Sequence, residues 1–142
     1  MSEVNHEEIF NCTTQQFFEL LVDYESYPKF LKEVTACRVL EDDGKAKMVE
    51  YKVSVIKNIT YINKQIENPP NEIKWQFVKG DLFKSMSGGW KLEEVDGRTK
   101  AHYHINAEFG MFVPKMITKT VLSVNLPAMM QAYHKRVKEL YG

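Results

Sequence analysis

The chain has 142 residues and a mass of 16.6 kDa, a length that suits one domain over residues 1–142. Lys plus Arg and Asp plus Glu both number 19, so the formal net charge is zero; a protein that binds DNA mainly by neutralising phosphates would be more basic. At 44% hydrophobic and 27% charged residues the composition is that of a folded soluble protein rather than a disordered one, and no apolar run approaches the ~20 residues of a membrane span.

The first residues, Met-Ser-Glu-Val-Asn-His-Glu-Glu, lack the basic start and apolar stretch of a secretory signal. Cys12 and Cys37 are too few and too far apart for a metal motif, so two ordinary thiols in a reducing cytoplasm are expected. Ser2 to Phe10 reads as a first strand. Thr13 and Gln16 have capping-box spacing, and Phe17, Leu20, Leu21 and Tyr24 recur at helical intervals, which predicts a helix over 14–23. Pro28 to Lys32 is expected to form a second, brief helical turn.

The middle reads as strands and turns. Val34 to Leu40 is a strand, followed by a turn at Glu41-Asp42-Asp43-Gly44. Val49, Tyr51, Val53 and Val55 alternate with polar residues, Lys57-Asn58 is expected to turn the chain, and Ile59 to Glu67 returns. Asn68-Pro69-Pro70-Asn71 is a loop. Ile73, Trp75 and Phe77 alternate with Lys74 and Gln76. Gly88-Gly89 lies inside a long strand over 82–94, which implies a bulge or a close backbone approach. Asp96-Gly97 is a hairpin signal. The alternation from Thr99 to Phe109 is the clearest strand pattern in the chain.

The tail reads as helical from Val113 onward, and Pro127 either kinks one long helix or starts a second one, with Asn125 or Leu126 at the cap. Short connections make the sheet antiparallel. Only the terminal helix is long enough to cover its apolar face. Charge is unevenly divided: residues 1–50 carry a balance of −6, residues 51–110 of +2 and residues 111–142 of +4.

The segment Asp23-Tyr24-Glu25-Ser26-Tyr27-Pro28-Lys29-Phe30 after a capped helix resembles the first-helix motif of the START-like helix-grip (SRPBCC) superfamily. Ile73-Lys74-Trp75-Gln76-Phe77, Lys79-Gly80, Gly88-Gly89-Trp90 and Met129-Met130-Gln131-Ala132-Tyr133 are similar to its polyketide cyclase/dehydrase and coenzyme-Q-binding branch. The resemblance implies an α+β helix-grip fold of the START/Bet v 1 type, a curved antiparallel sheet wrapped around a long C-terminal helix. It also implies three kinds of function: binding or transport of a hydrophobic small molecule or lipid (a quinone-like one among them), cyclase/dehydrase catalysis, and ribosome association of the toxin type.

Strand parity turns Tyr51, Val53, Val55, Tyr61, Trp75, Phe77, Met86, Trp90, Tyr103 and Ile105 inward, and Met116, Val121, Met130 and Tyr133 are expected to face them from the tail. These residues would build either a packed core or the wall of an apolar cavity, and the helix-grip resemblance favours the cavity. Neither cysteine and no serine has the context of an activated nucleophile, and no phosphate-binding glycine loop precedes a helix. His102, His104 and Glu108 share a strand face, but it is the polar one carrying Lys100 and Asn106, so a solvated face is expected rather than a metal site. His6 and His134 are expected as isolated surface residues. The leading expectation is therefore a binding protein with no cofactor, no metal and no catalytic residue. Tyr51, Tyr61, Tyr103 and Tyr133 are the groups a cyclase would use, beside Arg136 at the tail's inner edge. Lys115, Lys119, Lys135, Arg136 and Lys138 are the basic residues that could meet a membrane surface or the ribosome.

Overall fold

The computed structural model describes residues 2–55 and 57–142. Strand β1 (Ser2–Phe10) leads to helix α1 (Thr14–Val22), whose capping box is complete. Thr13 Oγ1 accepts from the Gln16 amide at 3.1 Å, and Gln16 Oε1 accepts from the Thr13 amide at 3.0 Å, which satisfies two of the helix's otherwise unpaired donors. The next helical turn comes earlier than Pro28 to Lys32: a 3₁₀ turn spans Tyr24–Lys29 with Pro28 inside it. Three residues per turn align Tyr24 and Tyr27, so both rings are buried.

Six strands follow: β2 (Val34–Asp42), β3 (Ala46–Ser54), β4 (Asn58–Asn68), β5 (Glu72–Gly80), β6 (Phe83–Val95) and β7 (Arg98–Phe109). β2 runs two residues further than its sequence suggests. Two register shifts against β3 take up the excess, and the turn tightens onto Gly44 at φ +97°. Asn58 already belongs to β4 and pairs with Ser54, so the β3–β4 turn comes earlier in the chain than Lys57-Asn58. Asp96 and Gly97 both take positive φ, 53° and 78°, the geometry that lets a two-residue hairpin follow the strands' twist.

The sheet order is β1-β7-β6-β5-β4-β3-β2, every neighbouring pair antiparallel. The first strand thus pairs with the last and leaves β2 at the far edge. The result is a curved seven-stranded sheet with a long helix across its concave side.

The tail is a broken helix. α2 (Lys115–Lys119) passes into a π-helical turn at Thr120–Val124, and α3 (Leu126–Tyr141) starts afresh with Pro127 in its first turn. The hydroxyls of Thr118, Thr120 and Ser123 donate to the carbonyls of Lys115, Met116 and Lys119, which competes with the regular helical ladder and accounts for the interruption.

Apolar packing divides into two clusters. The larger joins α1, the 3₁₀ turn and α3 to the sheet through Phe10, Phe17, Leu21, Trp90, Tyr133 and Val137. Phe10 and Phe17 stack at 4.3 Å, and Phe17 and Tyr133 each meet the Trp90 ring at 5.6 and 5.5 Å. The smaller is built by Phe83, Met86, Ile105, Ala107 and Leu122. Tyr61, Trp75 and Tyr103 pack against both clusters and are only partly buried. The space between the clusters holds the candidate site.

Candidate ligand cavity

Two adjoining chambers, each about 150 Å³, lie between the sheet and the tail. Leu31, Val34, Tyr61, Met86, Tyr103, Ile105 and Met129 border both, so the two chambers adjoin. The first chamber runs under α1 and the 3₁₀ turn and is walled by Leu21, Tyr27, Tyr51, Asn63, Gln65, Ile73, Trp75, Trp90 and Tyr133. The second lies under the helix break and is walled by Val53, Val55, Ile59, Phe83, Val121, Leu122 and Leu126, with half-buried Glu33 and Asn125 at its rim. Taken together the chambers reach the lower end of the ~300–1,000 Å³ typical of ligand pockets.

Aromatic rings shape the wall. Tyr51 and Tyr61, opposite each other on β3 and β4, stack at 5.2 Å. Tyr103 meets Trp90 at 5.0 Å and Trp75 at 5.8 Å. Gly88 makes this layer possible. It pairs with Trp75, and a Cβ at that position would stand 2.7 Å from the indole and collide with the His104 carbonyl oxygen.

Burial pushes the hydroxyls of Tyr27, Tyr51, Tyr61, Tyr103 and Tyr133 well above the ordinary phenol range, because a phenolate would be poorly solvated there. They remain protonated near neutral pH and act as hydrogen-bonding groups. The Tyr27 hydroxyl donates to the Leu21 carbonyl oxygen and ties the 3₁₀ turn to α1.

A charged lock joins β3, β4 and the 3₁₀ turn. Lys47 Nζ donates to both carboxylate oxygens of Glu67, at 2.6 and 2.8 Å, and the Tyr24 hydroxyl donates to Glu67 Oε2 at 2.8 Å. The Lys47 and Glu67 side chains are only 19% and 9% exposed. Another tie joins the tail to β1. Glu8 bonds to His134 of α3 at 2.6 Å and to His6 at 2.7 Å, and the bond to His134 is the main reason its carboxyl sits below the usual range. His6 and His134 are therefore not isolated surface residues.

Of the residues expected to face one another, Tyr51, Tyr61, Trp75, Met86, Trp90, Tyr103, Ile105 and Tyr133 meet in the first chamber, and Val53, Val55 and Val121 in the second. Three stand elsewhere. Phe77 lies past the end of the β5–β6 pairing and packs on Phe83. Met116 is 67% exposed because α2 is a separate short helix, not the first turns of α3. Met130 is buried in the larger cluster, and its neighbour Met129 faces the cavity instead. Asn63 and Gln65 were not among the expected wall residues. The alternation Ile59, Tyr61, Asn63, Gln65 carried the signal, since all four share one strand face.

His102 and His104 lie on the opposite face of β7, where His102 reaches Asn5 at 3.2 Å. Arg136 is not a free surface cation: its guanidinium lies over Phe30 at 5.4 Å and approaches Glu139 at 3.9 Å. Lys115, Lys119, Lys135 and Lys138 are exposed. Among the described residues no helix is long and apolar enough to cross a membrane.

Comparison with known proteins adds four findings. The family model described as polyketide cyclase / dehydrase and lipid transport matches residues 11–133. The ribosome association toxin RatA of Escherichia coli (strain K12) is 27% identical over 146 aligned positions, which cover 100% of this chain and 90% of that protein. Among solved structures, a START superfamily protein from Mycobacterium smegmatis superposes with a TM-score of 0.86 at 17% identity, over 97% of this chain and 98% of that one. The Zhui aromatase/cyclase from Streptomyces sp. R1128 superposes with a TM-score of 0.87 at 17% identity, over 97% and 94%. At such identities the superpositions speak for the helix-grip fold.

Proposed function

The chain belongs to the polyketide cyclase / dehydrase and lipid transport family, and from that premise we propose that it binds a hydrophobic small molecule or lipid between its sheet and its C-terminal helix. The observation that carries this reading is the pair of adjoining chambers, walled by aromatic and aliphatic side chains with a few hydrogen-bonding groups. Phenols whose pKa values are pushed upward orient a guest well and abstract its protons poorly, which supports binding over catalysis. A cytoplasmic location accords with the two free thiols.

Native mass spectrometry and solvent extraction of the purified protein test the proposal. The native chain is expected to retain or take up an apolar compound. Met129→Trp, which fills the junction of the two chambers from the helix side, is expected to abolish uptake while leaving the far-ultraviolet circular dichroism unchanged. A chain that takes up no fatty acid, quinone or fused-ring aromatic defeats the proposal. Cyclase/dehydrase chemistry in the same cavity would require a reacting phenol, so Tyr51→Phe, Tyr103→Phe or Tyr133→Phe would have to abolish turnover of a polyketide substrate.

A second reading, ribosome contact through the tail, is supported by the full-length similarity to the ribosome association toxin and by the exposed lysines. No acidic residue interrupts residues 109–138. Lys135→Glu/Lys138→Glu is expected to eliminate co-sedimentation with ribosomes, and indifference to that change removes the tail from consideration.

A further inference from the structure

Two amide side chains break the apolar and aromatic wall of the first chamber. Asn63 and Gln65 are 4% and 3% exposed, occupy successive inward positions on β4, and their side-chain oxygens Oδ1 and Oε1 have no hydrogen-bond partner. A buried oxygen in this state has given up its hydration and received nothing in return, which folded proteins rarely tolerate. Their neighbours explain why the fold leaves them so. Across β3 they face Val49 and Lys47, and across β5 they face Phe77 and Trp75. Lys47 is held by Glu67, and no phenol of the chamber reaches either oxygen. Successive inward positions on a strand are ~6.6 Å apart, so the two acceptors form a short row that one small molecule can span.

The geometry points to a ligand whose leading end carries hydroxyl or N–H donors on an apolar ring system or chain, with Asn63 and Gln65 as the residues that read those donors. This rests on the cavity-binding reading and narrows it. A hydrocarbon, an ether or a quinone carbonyl brings no donor and leaves both oxygens stranded. A phenol, a quinol or an aliphatic alcohol relieves them. The choice of a hydroxyl holds whichever way round each amide is placed, because a hydroxyl accepts as well as donates. Trp75, Trp90 and Tyr103 supply the aromatic surface for the body of such a ligand.

2-Naphthol and 2-methoxynaphthalene share a fused-ring body and differ in the donor, and isothermal titration of each into the full chain separates the cases. The native protein is expected to bind 2-naphthol roughly tenfold more tightly, the worth of a hydrogen bond to an otherwise stranded acceptor. Asn63→Leu/Gln65→Leu is expected to erase that preference by weakening 2-naphthol while 2-methoxynaphthalene holds. The same variant is expected to keep or raise the Tm, because it replaces unpaired polar atoms by apolar ones of similar size. Equal affinities in the native protein overturn the inference and leave the cavity-binding reading standing. Binding of neither compound also overturns the inference, and the cavity-binding reading falls with it only where fatty acid and quinone are refused as well. A preference that survives the double substitution, with a lowered Tm, assigns the amides to the fold and also overturns it.

Discussion

Replacing Glu67 by Ala removes the acceptor shared by Lys47 and Tyr24 and leaves an ammonium group, only 19% exposed as a side chain, with no counter-charge. Stranding one partner of a buried pair costs about 3–5 kcal/mol. The Lys47 stem can swing part of its charge toward water, which reduces that figure to about 2 kcal/mol. The orphaned Tyr24 hydroxyl, in a residue 2% exposed, adds about 1 kcal/mol. The expected loss is therefore about 3 kcal/mol, or roughly 10 °C in Tm for a chain of this length. Thermal and urea denaturation followed by circular dichroism measure it, and an unchanged urea m-value would confirm that stability alone has moved. The companion variant Lys47→Met/Glu67→Leu removes both charges together and is expected within about 1 kcal/mol of the native protein, because neither charge is then left unpaired. A Glu67→Ala protein within 1 kcal/mol of native stability, or a double variant as unstable as the single one, would refute the reasoning.

Gly88→Ala is expected to cost about 1–3 kcal/mol and to shift the tryptophan emission, since the new methyl group meets the Trp75 indole and a backbone carbonyl that cannot retreat; native stability and spectrum would show that the strand relaxes. Burial pushes the Cys12 and Cys37 thiols up to about 11 and about 12, so in the native protein a disulfide reagent at pH 8 should label both at least ~100-fold more slowly than a free thiol, and equally fast labelling contradicts the packing. The Glu8 carboxyl is held below its ordinary range by His134, so its contribution is present above the unfolded carboxyl's pKa of ~4.3 and disappears as the pH falls through the lower folded value. Glu8→Gln should accordingly lower stability by about 0.5–1 kcal/mol at pH 6 and leave it unchanged at pH 2; an equal loss at both pH values removes the ionic explanation.

How far the sequence could be read follows from which forces act locally. The α1 capping box, the Asp96-Gly97 turn and the alternation of β7 are set by residues a few positions apart, and each formed where its pattern placed it. Inward-facing strand residues were legible for the same reason, because side-chain parity is a property of a single strand. The tail was harder. Its periodicity gives the apolar face, but the side-chain competition that opens the π turn decides how that face is rotated, so Met116 pointed out and Met129 exchanged places with Met130. Asn63 and Gln65 stay hidden in the sequence because polar residues at inward positions carry no apolar signal. The ties of Glu8 to His134 and of Glu67 to Lys47 and Tyr24 span 126, 20 and 43 positions, and no local pattern announces them.

The division of the packing into two clusters has a consequence for how such a protein can change. Cohesion resides in the two clusters, built around Phe10, Phe17 and Trp90 in one and Phe83, Met86 and Leu122 in the other, and their buried members also form much of the chamber walls. Val55, Asn63, Gln65 and Asn125, which line the chambers and belong to neither cluster, can thus be exchanged at modest cost to folding. Selection is free to retailor the interior for a new guest while the scaffold persists, as a lock keeps its casing when its pins are recut.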